Sequence, residues 1–229
     1  MSYLLVLFTI VITVVAYLCS RWLFLRFKNP LLNPVFLSTM AVIGILLCCG
    51  FTFNDYKPGK EIMTFLLGPT TVALALPLYR HRAALSTYAF PILAGIAVGS
   101  LSTMATVLWF GRLAALPSLI LRSLAPKSVT APIAVEIAKL TGGDPALAAA
   151  FVVATGMLGS MIGPLLLSRL RITNPVARGL AMGTTSHGQG TAIALLEGET
   201  QGAMAGIAMA LAAVFTSLIA PYYIPLLLS

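Results

Sequence analysis

Apolar residues run along this chain in long blocks separated by short polar ones. Blocks at about 3–24, 33–53, 61–79, 87–110, 146–168, 175–197 and 203–228 each match the length of a helix that crosses the hydrocarbon of a bilayer. The alternating pattern of a transmembrane barrel is missing. The reading is an all-α polytopic membrane protein, one transmembrane domain over residues 1–229. The block at 3–20 has no basic residues before it and Arg21 after it, the reverse of a signal peptide, so it is expected to stay as the first span.

Residues 113–140 resist this scheme. Pro117, Pro126 and Pro132 break the run, and Arg122, Lys127, Glu136 and Lys139 interrupt its apolarity. Two short half-helices joined by a polar tip, a re-entrant hairpin, fit better than one span. Basic clusters at Arg21, Arg26 and Lys28, at Arg80 and Arg82, and at Arg169, Arg171 and Arg178 support it. All three fall on the cytoplasmic side if the segment enters and leaves by one face, whereas a full crossing puts the last cluster outside. Trp22 and Trp109 then lie near span ends, where indole prefers the interface.

The same layout yields an inverted repeat, about 33–110 against 146–228, with 113–140 as the link. The middle span of each half carries a disruption. The first reads Leu67-Gly-Pro-Thr-Thr-Val-Ala-Leu-Ala75, and Thr-Ala-Ile-Ala-Leu from Thr191 aligns with its Thr-Thr-Val-Ala-Leu from Thr70. Interrupted spans at matching positions of two halves point to a transporter site between broken helices.

Composition agrees. The chain of 229 residues is 59% hydrophobic and 9% charged, with mean hydropathy +0.99, where a soluble domain carries roughly 25% charged residues. The net charge of +8 does not imply nucleic acid, because the basic residues sit in loops between apolar blocks. Cys19, Cys48 and Cys49 lie in apolar segments and read as small buried hydrophobes. Nothing resembles a nucleotide loop, a catalytic triad or a metal site, so neither an enzyme nor a cofactor is expected.

The most informative run is Gly183-Thr-Thr-Ser-His-Gly-Gln-Gly-Thr191. Its glycines weaken a helix, and its hydroxyls, imidazole and amide need partners that hydrocarbon does not supply. A helix broken here exposes N–H groups near Gly190 and Thr191, an end that favours anions. Ser186, Gln189 and Thr191 add donors, and His187 is suited to carry a coupled proton. The plainer alternative is a contact of small residues with His187 bonded to a neighbouring carbonyl. Lys127, at the hairpin tip, either meets an anionic solute or snorkels to water. Ser128 and Thr130 either cap the second half-helix or bind solute. Thr70 and Thr71 follow the matching break in the first half. Elsewhere the reading is structural: Asn33-Pro34 and Asn174-Pro175 start helices, Glu136 pairs with Lys139, and Glu197 and Glu199 face solvent.

Residues 67–75, 126–134, 177–183 and 186–192, in that order, resemble the LrgB/CidB family over nearly the whole chain. The Pro-Lys-Ser-Val-Thr run from Pro126 is the most specific. That family includes bacterial inner-membrane proteins called holin-like or antiholin-like, linked to murein hydrolase control and autolysis, and the membrane half of the plant plastid glycolate/glycerate translocator. The resemblance implies an inverted-repeat secondary carrier in a bacterial inner membrane, acting alone as a homodimer or beside a small LrgA/CidA-type membrane protein. It implies a small organic anion as solute (glycolate, glycerate, pyruvate or a similar monocarboxylate), coupled to H⁺ or Na⁺. The alternative it offers is an antiholin-like regulator of murein hydrolase release. Two departures stand out: relatives often have an apolar residue where Gln189 stands and a basic one where Ile193 stands.

Overall fold

A computed structural model describes residues 3–27, 32–66, 69, 79, 82 and 89–228. The backbone divides into two compact units, Met1–Ala75 and Leu76–Ser229. The described residues are helical: α1 (Tyr3–Phe27), α2 (Pro34–Cys48), α3 (Phe53–Phe65), α4 (Ala89–Leu113), α5 (Ser118–Leu124), α6 (Ala131–Thr141), α7 (Pro145–Arg169), α8 (Pro175–Glu197) and α9 (Glu199–Leu228). Helices α1, α4, α7 and α9 are long and apolar enough to cross a membrane, and the chain is a polytopic all-α membrane protein.

In the first unit the polar groups of α1 turn inward. Thr9 and Ser20 are buried, and the Thr13 hydroxyl lies 3.0 Å from the Tyr56 hydroxyl of α3. Leu4, Leu7, Val11, Val14, Leu18 and Trp22 face outward, the reverse of a water-soluble helix. Asn33 caps α2 by accepting from the N–H groups of Val35 and Phe36, with Pro34 in the first turn, as expected for a helix start. Part of the expected span 61–79, and the break at Thr70 and Thr71, lie outside the described residues. Cys19, Cys48 and Cys49 are exposed on the chain's surface rather than buried, a correction to the reading from composition.

The second unit is built around two helical hairpins. In the first, α5 and α6 are joined by a turn at 125–130. The base is tied: Arg122 Nη1 donates to the Thr141 carbonyl at 2.7 Å, and the Asp144 N–H donates to Ser123 Oγ at 2.7 Å. The chain therefore enters and leaves at one end, beside the start of α7. Seven- and eleven-residue helices reach only about 10 and 16 Å, too short to span hydrocarbon of about 30 Å.

The second hairpin lies inside α8. A straight helix would hold Arg178 and Glu197 about 28 Å apart, yet Arg178 Nη2 lies 2.6 Å from Glu197 Oε1. The chain reverses at His187, whose φ of 41° and ψ of −131° are not helical. Gly190 returns against Met182, and a Cβ there would overlap the Met182 carbonyl. Residues 175–197 are thus two arms folded back, not a crossing span, which corrects the sequence reading. The base sits at the far end of α7, where Arg178 also bonds the Ser168 hydroxyl and the carbonyls of Pro164 and Ile172. The hairpins therefore approach from opposite ends of α7, a 25-residue helix about 37 Å long.

An internal repeat follows from these contacts. The buried positions Ile92, Ile96, Ser100, Met104 and Gly111 of α4 recur 56 residues later at Ala148, Val152, Gly156, Ser160 and Leu167 of α7. At the same spacing Arg122 matches Arg178, and Ile137-Ala138 matches Ile193-Ala194. Ile92 and Ile96 pack on Met204, Ile207 and Ala208, near the start of α9, and Met104 and Leu108 on Ala220 and Ile224, near its end. So α4 runs with α9 and against α7, and each of α4 and α7 leads into a hairpin from its own end. The repeat expected from the sequence, 33–110 against 146–228, leaned on residues 67–75, nearly all outside the described set, and on a crossing span at 175–197.

Candidate functional site

Both tips stop near mid-depth. His187 Nε2 lies 3.0 Å from the Val152 carbonyl of α7, and Ser186 sits against Gly159, near the midpoint of that helix. The first tip reaches Ser100 and Thr103, the midpoint of α4.

Local chemistry makes each tip. Pro126 lacks an N–H, and the chain tightens into short turns, with Lys127 N–H donating to the Leu124 carbonyl (3.1 Å) and Val129 N–H to the Pro126 carbonyl (3.2 Å). Pro132 then starts α6. At the second tip a histidine occupies a positive-φ conformation that costs on the order of 1–3 kcal/mol for a non-glycine residue. Two bonds hold it: the imidazole to Val152, and the Thr191 hydroxyl to the His187 carbonyl at 2.8 Å. Gly156 lets the ring in, since a Cβ there would come within 2.6 Å of it.

Between the first tip, α4, α9 and the first arm of α8 lies a cavity of about 10 Å³, room for about one water. Ser100, Thr103, Ser128, Thr184 and Thr216 give it five hydroxyl-bearing walls from α4, the first hairpin, α8 and α9, and Met104, Ala125, Pro126 and Val129 complete it. Ser100, one of these lining residues, has its Oγ buried with no hydrogen-bond partner, an unusual state for a buried hydroxyl. Lys127 Nζ is 3.5 Å from Ser128 Oγ. None of the described residues that line the cavity is acidic.

The nine residues singled out from the sequence separate into groups. Thr70 and Thr71 lie outside the described residues. Ser128 lines the cavity, and Lys127 stands beside it. Thr130 is the N-cap residue of α6, but its side chain makes no capping bond. Ser186, His187 and Gln189 face α7 instead, where Gly159 and Gly156 receive them. Gln189 Oε1 is buried there without a partner. Thr191 stitches the break closed. Glu197 is not solvated as expected but forms a two-pronged pair with Arg178. Glu136 pairs with Lys139 at 2.7 Å as expected.

Four wall residues escaped the sequence reading: Ser100, Thr103, Thr184 and Thr216. Ser100-Leu-Ser-Thr103 is a polar run in mid-span, and Thr184 belongs to the glycine-rich run, so both left a signal. Thr216 is a lone hydroxyl in an apolar helix, a common feature that marks nothing by itself. Among the described residues no three of His, Cys, Asp and Glu come together as a metal site.

Residues 13–226 match the LrgB-like family. The chain is 37% identical to the protein YxaC of Bacillus subtilis (strain 168) over 212 residues, 93% of this chain and 92% of that one. It is 35% identical to YwbG of the same organism over 211 residues, 92% of this chain and 94% of that one. It is 33% identical over 219 residues to a protein named antiholin-like protein LrgB from Bacillus mycoides (strain KBAB4), 95% of each chain. No solved structure matches.

Proposed function

We propose, for a chain that belongs to the LrgB-like family of membrane proteins, that the second unit is a secondary carrier of small organic anions across the bacterial inner membrane. Glycolate, glycerate, pyruvate or a similar monocarboxylate is the solute, coupled to H⁺ or Na⁺, and it passes chemically unchanged. The observation that carries this reading is the hydroxyl-lined cavity at mid-depth, with an unpartnered Ser100 Oγ, beside a lysine where the first hairpin tip faces α4, the first arm of α8 and α9. Irregular backbone inside a bilayer is tolerated where protein covers it or where it lines a cavity. The N-terminal ends of α6 and of the second arm of α8 lie at the two tips and favour a carboxylate. A cavity of about 10 Å³ is too small for such a solute, so this conformation is occluded, and passage requires the tips to part from one side at a time. The inverted relation of the α4 and α5–α6 half to the α7 and α8 half supplies two such sides. A homodimer is the assembly proposed. Counterflow in proteoliposomes tests the reading: exchange of a C2–C3 hydroxy- or keto-acid above empty liposomes is expected, with loss in Lys127→Ala and Ser128→Ala at normal expression. Absence of exchange for every such acid sinks it.

A second reading is favoured by the relatives' names. Proteins one-third identical over 95% of the chain are named antiholin-like. On this reading the chain is an antiholin-like regulator of murein hydrolase release, beside a small LrgA/CidA-type membrane protein. The close glycine contacts among α7, α8 and α9 suit such a scaffold. Lys127→Ala and His187→Ala then leave autolysis control intact, whereas bulky residues at the helix contacts abolish it.

A further inference from the structure

The two hairpins are equivalent in the repeat but unequal in how they are held. Arg178 makes five bonds: two to Glu197 (2.6 and 2.8 Å), two onto the end of α7 at Ser168 Oγ (3.2 Å) and Pro164 O (3.3 Å), and one to Ile172 O (3.0 Å) in the loop that follows it. Its counterpart Arg122 donates to the Thr141 carbonyl, which belongs to the same hairpin. One arginine fastens its hairpin to a spanning helix; the other ties its hairpin to itself, and that hairpin is held to the start of α7 only near its base, by the Asp144 N–H to Ser123 Oγ bond.

Packing repeats the contrast. The α8 hairpin meets α9 backbone to backbone: a Cβ at Gly179 would lie 3.1 Å from Ala205 N, and one at Gly183 would overlap the Ala205 carbonyl. Such contacts lock, because backbone does not yield. The His187–Val152 bond fixes its tip as well. The α5–α6 hairpin has a close backbone approach only at its base, where Gly143 packs on the Arg122–Ser123 backbone; beyond that base it meets its neighbours through Leu121, Val129, Ala134 and Ile137, against Met104, Leu108, Val152 and Ile224. Apolar side-chain surfaces of this kind slide at small cost, because one hydrocarbon contact replaces another.

We propose that the α5–α6 hairpin is the arm that opens the central cavity, that the α8 hairpin is the fixed wall, and that the cavity first opens toward the end of the unit that carries Asp144. This rests on the cavity being a solute path, but the opening is measured without a solute. The full chain, with Cys19, Cys48 and Cys49 changed to Ser, carries Thr216→Cys as a reporter on α9. In proteoliposomes of known orientation, a membrane-impermeant maleimide is added to one side at a time, and labelling of position 216 is read by peptide mass spectrometry. The expected result is labelling from the side of Asp144 alone. A staple from Gly111→Cys and Leu121→Cys joins α4 to the moving arm. The Gly111 Cβ would lie 3.7 Å from Leu121 Cγ, within disulfide reach. Oxidising it is expected to slow labelling by about tenfold or more, since the open population sets the rate, and reduction restores it. A staple from Gly163→Cys and Met182→Cys, between α7 and the fixed hairpin, is expected to leave the rate within about twofold. Labelling from the opposite side, no labelling from either side, or slowing by the second staple overturns the proposal. Loss of counterflow with one-sided labelling retained overturns the carrier reading and leaves the arm assignment standing.

Discussion

His187 shows how a single residue is decided by its surroundings. Its backbone pays for the reversal of α8, and its ring is anchored by a carbonyl rather than aimed at the cavity. The glycines that receive this segment differ in what they tolerate. A Cβ at Gly183 would run into the backbone of Ala205, whereas one at Gly95 meets nothing within 4 Å. Gly183→Ala is therefore expected to destabilise by about 1–3 kcal/mol or more through overpacking. Gly95→Ala is expected to be neutral or to stabilise by about 0.5–1 kcal/mol through helix propensity. Thermal unfolding in detergent checks both. At the start of α3, the Thr52 hydroxyl and then its N–H hold the Asp55 carboxyl below the usual carboxylate range. A lowered folded value means that this cap stabilises α3 above the unfolded pKa and is lost as pH falls through the folded one. Titration of Asp55 by carboxyl NMR should place its midpoint below that of a free aspartate, and Asp55→Asn should remove the acid-dependent fraying of α3. A midpoint at or above the free value would contradict the cap.

Elements here derive their shape from pairing. The run 175–197 has the length and caps of one spanning helix, with Asn174 accepting from the N–H groups of Val176 and Ala177. Folding it in half buries Gly190 against Met182 and brings Arg178 to Glu197. With side chains 12% and 20% exposed, this pair is shielded enough for one partner's removal to matter. Arg178→Gln or Glu197→Gln is expected to cost about 2–3 kcal/mol, and the double mutant less than the sum. A double-mutant cycle by denaturant unfolding measures this, and additive losses would show that the pair does not hold the hairpin base.

At the scale of the molecule, two hairpins in place of crossing spans change which side the chain ends on. In the second unit α4, α7 and α9 cross, while the hairpins return to the end they left. Leu228 therefore lies at the same end as Asp144 and opposite Arg171. The positive-inside rule predicts that the arginines at 169, 171 and 178 lie on the cytoplasmic side, and on that expectation Leu228 falls outside the cytoplasm. Cysteines introduced at positions 144, 171 and 228 and probed with an impermeant reagent test this. Position 228 should react with 144 and not with 171, and the reverse would restore a crossing at 175–197.

Hydrophobic pattern alone determined a great deal: a membrane-spanning all-α chain, the ends of α7 and α8 within a residue of where they lie, the break near His187, and two short helices around Lys127. These are local matters of apolar length, proline and capping, which need no partner to be read. Sequence did not reveal that α8 doubles back, because a broken helix and a folded one share the same periodicity and differ only in contacts between residues 19 apart. Nor did it reveal that Ser128 would meet Ser100, Thr184 and Thr216, while Ser186 and His187 turned to α7. Which hydroxyl faces a cavity depends on how four elements cross at mid-depth, and that crossing is fixed by glycine contacts and one arginine pair, which only the packed tertiary structure brings together.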